Sequence, residues 1–232
     1  MIRRDYILRM LAEFFEVLSR IRALKKGQKW EEASLAGDQE FQRLISGGAQ
    51  LALKLSETEL LARLINGEPT LAVRDKTLML TSLLKEEGDI AAGQGRHLDS
   101  KACYLKGLHL LLGVLVNENI DELPEFVPRI DAFLIALANS PLPMGTYAML
   151  MRHYELAGEF GKAEDALFSM VEEEPDNLGL LDFGIGFYQR LQAKSDDALL
   201  TGNLPRVELE ASLEQLLARK KTELARTSTG VQ

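Results

Sequence analysis

The stretch MGTYAMLMRHYELAGEFGKAEDALFSMVEEEPDN, Met144 to Asn177, decides the fold. Tyr147, Leu150 and Tyr154 recur at i, i+3 and i+7, the spacing of one face of an α-helix. Gly158-Glu159-Phe160-Gly161 breaks that helix and turns the chain. A second helix follows through Ala163 and Leu167, and Ala163, with only a methyl, admits a close crossing of the two. Pro175 ends it, because proline lacks the N–H that a helix interior needs and clashes with the preceding turn. The stretch therefore reads as a helical hairpin. It predicts architecture rather than activity.

The same pattern recurs more weakly upstream. Leu84 and Gly88 precede the break Gly93-Gln94-Gly95, and Ser100, Tyr104 and Gly107 follow it. These positions predict helices over about 70–93 and from the break to about Asn117. Further upstream, Ile7, Leu11, Phe14, Leu18 and Ile21 repeat at 4-3-4-3 spacing, widened by Met10, Val17 and Leu24, and predict a helix over 2–25. A second helix over about 29–45 carries Trp30, Ala33, Phe41 and Leu44, with Gly37 in its middle. Ser56-Glu57-Thr58-Glu59 is a capping box that opens a short helix to about Ile65. Asn66-Gly67-Glu68-Pro69 reads as a turn, and a helix over about 125–139 is expected with Pro124 and Pro128 at its start. Downstream, Leu181, Ile185, Tyr188 and Leu191 stripe a helix over 178–193. Ser195-Asp196-Asp197 echoes the capping box, and a last helix runs from Pro205 to about Ala225, with Lys220, Lys221 and Arg226 suiting its C-terminal end. No stretch alternates with a period of two.

The hairpin at 144–177 resembles a tetratricopeptide repeat, W-x2-L-G-x2-Y…A-x3-F…P, through Tyr147, Leu150, Met151, Tyr154, Ala163, Leu167 and Pro175. Met151 stands where that pattern has a small residue, and Met170 likewise, which predicts a more open hairpin. Met1-Ile2-Arg3-Arg4-Asp5-Tyr6-Ile7, Glu86-Glu87-Gly88-Asp89-Ile90 and Lys162-Ala163-Glu164-Asp165 resemble an uncharacterised bacterial family of tetratricopeptide-like proteins. The resemblance implies an all-α fold of stacked antiparallel hairpins and carries no catalytic residues. It leads us to expect one helical-repeat domain over 1–226, with an N-terminal hairpin 2–46, central helices 56–139, the clear hairpin 144–177 and C-terminal helices 178–226. Residues 227–232 are expected to be a disordered tail.

The chain has 232 residues and a net charge of −8, which argues against general nucleic-acid binding, since that needs a basic footprint. The charge is uneven: residues 1–30 carry net +5 and the remainder net −13. The basic first helix is expected to pack on the next hairpin, ahead of contact with a second copy of the chain and of a membrane or nucleic-acid role. One cysteine, Cys103, excludes an internal disulfide and suits a reducing compartment. Arg9, Glu13 and Glu16 interrupt what would be a signal core, and the apolar run Gly107 to Val116 is about half of a bilayer span. The expectation is a cytoplasmic protein.

The candidates for chemistry are sparse. His97, Cys103 and His109 are spaced by six, which sets successive residues roughly 240° apart around a helix and prevents a shared metal-binding face. Cys103 has no local base to make it a nucleophile. Gly93-Gln94-Gly95 and Gly184-Ile185-Gly186 follow no strand and continue into no phosphate-binding loop, so they read as a helix break and a close helix crossing. Glu172-Glu173-Glu174 reads as a solvated helix end. We therefore expect no cofactor and no catalysis, but a protein–protein interaction module whose first helices line a groove for a protein or peptide. The groove residues expected are Lys85, Asp89, Arg152, Glu155, Asp182, Gln189 and Arg190. A sensor or enzyme with a small-molecule pocket between helices is the alternative.

Overall fold

A computed structural model describes the backbone of residues 2–65, 70–118 and 122–229, and the side chains of residues 6–65, 72–118 and 122–226. The expected turn at Asn66–Pro69 and the side chains of Arg3 and Arg4 lie outside the described residues. Those residues form twelve helices and no strand, in two compact units, 1–141 and 142–232. The division falls in Pro141-Leu142-Pro143, where two prolines remove the N–H groups that a helix would use.

In the first unit α1 (Ile2–Lys26) pairs with α2 (Trp30–Ile45), and α5 (Thr70–Gly93) pairs with α6 (His97–Asn117). The apolar stripe of α1 faces inward, with Met10, Phe14, Leu18 and Ile21 buried against α2 and α5. Each such large side chain removed from water contributes about 1.5–3 kcal/mol. The first helix is thus part of a core. Its cations take part as well: Arg22 Nε donates to Glu86 Oε1 at 2.7 Å, and Lys25 pairs with both Glu86 and Asp89 of α5. Two of the eight cations of residues 1–30 therefore answer acids on α5, buried Glu86 and half-buried Asp89.

Two short helices lie between these pairs. The six-residue α3 (Ala49–Lys54) was not legible in the sequence. It is held from outside: Lys106 of α6 donates to the carbonyls of Ala52 and Leu53, both at 2.9 Å, and of Leu55, satisfying a helix end that six residues cannot satisfy alone. The capping box behaves as expected at α4 (Glu57–Ile65). Ser56 N–H donates to Glu59 Oε2 at 2.8 Å, and Glu59 N–H donates back to Ser56 Oγ at 3.3 Å.

The helix expected over 125–139 is shorter, α7 (Ile130–Leu137). Val127 precedes Pro128, which disfavours helical geometry there, and Arg129 is extended at φ −73°, ψ 159°. Residues 124–127 instead make a turn that buries Phe126, whose ring meets Phe14 and Phe15 edge-on at 5.5 and 5.1 Å.

In the second unit α8 (Met144–Ala157) and α9 (Phe160–Glu173) form the hairpin read at the outset. α10 (Leu178–Gln192), the short α11 (Asp196–Thr201) and α12 (Arg206–Thr229) follow, with α10 lying along α12. Ser195 caps α11 by accepting from Ala198 N–H at 3.2 Å. α12 runs past Ala225, so Lys220 and Lys221 sit two turns before its end; residues 230–232 lie outside the described residues. Ala163, Met151 and Met170 are all buried, and the flexible thioethers fill space where the repeat pattern has smaller residues.

The α5–α6 pair depends on a close approach at Gly88. A Cβ there would lie 2.4 Å from Cε1 of Tyr104, whose hydroxyl donates to Asp89 at 2.8 Å. Gly88→Ala should therefore overpack the crossing and cost roughly 1–3 kcal/mol. Urea unfolding of the variant should show a lowered midpoint. An unchanged midpoint would mean that the ring moves aside freely.

Candidate functional site

The second unit presents an open groove between α8 and α10. Its geometry begins at Gly158, which ends α8 at φ 76°, a left-handed conformation that favours glycine, and turns the chain into α9. Asn177 then starts α10 as an N-cap, its side chain accepting from the N–H groups of Gly179 and Leu180 at 2.9 and 3.2 Å. Two contacts fix α9 against α10. Tyr188 donates to Glu164 at 2.6 Å in a buried bond, and Leu167 closes on Gly184, where a Cβ would stand 3.1 Å from both its methyls and 2.7 Å from Leu216 of α12. Gly184 is therefore the close crossing expected from the sequence. These contacts pair increasing numbers on α9 with decreasing numbers on α10, so those helices are antiparallel and α8 runs parallel to α10.

The groove between the parallel helices has a volume of about 620 Å³ and is lined by Ala148, Met149, Met151 and Leu156 of α8 and Phe183 of α10, with Arg152, Glu155 and Arg190 as its charged members. Leu156 is 62% and Phe183 41% exposed, so two large apolar side chains stand at an open surface rather than in a closed cavity. Arg190 joins the walls: its Nε donates to Glu155 Oε1 at 2.7 Å and its Nη2 to Oε2 at 2.8 Å. That paired carboxylate holds the Arg190 guanidinium even more firmly protonated than usual. Arg152, one turn before Glu155, is exposed and makes no ion pair among the described residues.

Of the seven groove residues expected from the sequence, Arg152, Glu155 and Arg190 come together here. Asp182 and Gln189 are exposed on α10 but outside the groove lining, and Asp182 accepts from Lys220 of α12. Lys85 and Asp89 belong to the first unit and are engaged internally. Lys85 Nζ donates to Asp89 at 2.7 Å and lies 5.2 Å from the Tyr104 ring centroid, and Asp89 also accepts from Lys25 at 2.5 Å. The apolar floor went unread. Phe183 stands seven residues before Arg190, two turns along the same face, and that spacing was the available signal.

His109 Nδ1 lies 3.0 Å from Glu57 Oε1, linking α6 to α4. Cys103 is buried on α6, and burial, reinforced by the charges of Glu87 and Asp99, pushes its thiol up to about 12. Among the described residues no group of histidine, cysteine and carboxylate side chains converges as a metal site. No helix of the described residues is long and apolar enough to cross a membrane.

Fold and site together define an all-α protein of paired antiparallel helices with an open, part-apolar groove in its second unit. A sequence model for a family of unknown function, DUF6483, matches residues 1–221, and the chain belongs to that family. Neither the curated proteins nor the solved structures contain a match.

Asp89 gives the first unit a measurable pH dependence. Burial alone would raise its carboxyl, but hydrogen bonds from Lys25 and Lys85 and their charges hold it below the ordinary value. A carboxyl lowered on folding stabilises the protein above its unfolded pKa, about 3.9, and that contribution is lost as pH falls through the lower folded value. Asp89→Asn should therefore cost about 1–3 kcal/mol at neutral pH. In urea melts the gap from the parent should close in acid below about pH 4. A gap independent of pH would mean that the charge contributes nothing.

Proposed function

We propose that this protein is a non-enzymatic interaction module in which the hairpins α8/α9 and α10/α12 stack in tetratricopeptide fashion and hold a segment of a protein partner in the α8–α10 groove. The observation that carries the reading is the exposure of Leu156 and Phe183 across an apolar floor. Scattered exposed apolar residues are ordinary on a protein surface, whereas two large ones facing a shared groove support its reading as a binding surface. Parallel first helices lining one face are the arrangement through which helical-repeat proteins bind extended or helical segments. The charged rim of Arg152, Glu155 and Arg190 supplies orientation and association rate more than affinity.

A small-molecule pocket is the second reading, and the volume supports it, since about 620 Å³ falls within the range of ligand sites. The exposure of its lining favours the macromolecular reading, because small-molecule sites enclose most of their ligand's surface.

Selection from a displayed random-peptide library on the full chain separates the two. The expected result is a set of peptides with apolar anchors, whose binding falls tenfold or more, roughly 1.4 kcal/mol, in Leu156→Ser/Phe183→Ser, with the melting temperature unchanged. Peptides that bind parent and double variant equally would remove the groove from the reading. Recovery of no peptide, with a fluorescent fatty acid bound by the parent and lost in the variant, would move it to the second reading.

A further inference from the structure

The charges at the groove define what kind of segment it takes, and this inference rests on the groove reading above. The lining on α8 runs from Ala148 to Leu156, a length of two helical turns at about 1.5 Å per residue. An occupant that meets both walls over that length presents apolar residues at i, i+3 or i+4, and i+7, as an amphipathic helix laid in a groove does. On the α10 wall, half-buried Gly186 stands between Phe183 and Arg190, and beyond its position the nearest atom is Nη1 of Arg190, 3.5 Å from where a Cβ would be. The guanidinium thus lies over Gly186 and presents itself at the groove, whose lining it joins.

Two guanidiniums and one carboxylate surround this space. Glu155 spends both oxygens on Arg190, and Arg152 is left with no ion pair among the described residues. A basic occupant would meet an unanswered positive charge, and a neutral one would cover it. Only an acidic occupant supplies the planar, two-oxygen partner that a guanidinium matches. The Glu155–Arg190 pair is itself exposed, 21% and 54% at the two side chains, and such pairs contribute little net stability. Exchanging one carboxylate for another on Arg190 therefore costs an acidic occupant severalfold in affinity at most.

We propose that the groove takes an amphipathic helix of a protein partner carrying a carboxylate beside its apolar face, and that Glu155 is a built-in competitor for that carboxylate. The occupant's acid engages Arg152 and can replace Glu155 on Arg190. Glu155 then sets a threshold: it keeps Arg190 satisfied in the empty groove and weakens every acidic occupant in proportion to its hold.

The test uses the full chain and two fluorescein-labelled helical peptides of about 18 residues. They share one Leu/Phe face and differ only in Glu or Lys at the flanking position; anisotropy gives the affinities at low and at moderate salt. The Glu peptide should bind about tenfold tighter than the Lys peptide, with the gap shrinking as salt rises. Arg152→Glu should reverse the preference, and Arg152→Gln should shrink it to what Arg190 alone supplies. Glu155→Gln should tighten the Glu peptide severalfold without tightening the Lys peptide. Equal affinity for both peptides, lost in Phe183→Ser, would keep the groove and overturn the acidic preference. An unaltered Glu-peptide affinity in Glu155→Gln would overturn the competitor role. Binding of neither peptide would fail the groove reading and this inference with it.

Discussion

The buried hydrogen bond from Tyr188 to Glu164 sets the register on which the second unit depends. Glu164 is almost fully enclosed, and burial raises its carboxyl even though Tyr188 and Ser212 hydrogen-bond to it. An enclosed carboxyl without its donor would carry the full cost of desolvation, so α10 cannot slide along α9 without a large penalty. That constraint decides which residues of α10 meet α8. A shift of one turn would take Arg190 away from Glu155 and Phe183 away from the apolar floor. Apolar packing of Leu167 on Gly184 fixes the distance between the helices, and the hydrogen bond fixes the position along them.

The first unit solves a similar problem with charge. Glu86, Glu87 and Asp89 lie within one turn of α5, and each is answered from another turn or helix: by Arg22 and Lys25 of α1, by Arg96 before α6, and by Lys85 one turn earlier. Part-buried pairs of this kind contribute little net stability, because desolvation offsets much of their attraction. Through Arg22 and Lys25 they tie α1 to one stretch of α5, Glu86 to Asp89, beside the apolar contacts. Glu87 is the exception in the set. Its Oε2 is buried with no hydrogen-bond partner, and burial raises its carboxyl.

The sequence made the helices legible and the site only in part. Periodicity placed α1, α2, α5, α6, α8, α9 and α10 within a few residues of their observed limits, because each buries one continuous face. α3 escaped because its end is satisfied by Lys106, some fifty residues away, and no local pattern records that. The start of α7 was misplaced because the ring of Phe126 is more stable against Phe14 and Phe15 than in a helical turn before Pro128. Arg152, Glu155 and Arg190, picked by carrying one face of the first helix from hairpin to hairpin, line one groove. Lys85 and Asp89 were chosen by the same rule, yet the rule cannot see that Lys25 and Tyr104 already occupy them.

The single tryptophan gives the two-unit division an experimental handle. Trp30 lies in the first unit, where its ring covers Gly93 so closely that a Cβ there would stand 2.6 Å from it. The second unit has tyrosines but no tryptophan. Emission excited at the red edge of the aromatic band therefore follows one half of the chain, while far-ultraviolet circular dichroism follows the helices of both. In a single denaturant series the two signals coincide only where the halves unfold together. The native chain thus carries its own reporter of whether its halves are thermodynamically joined.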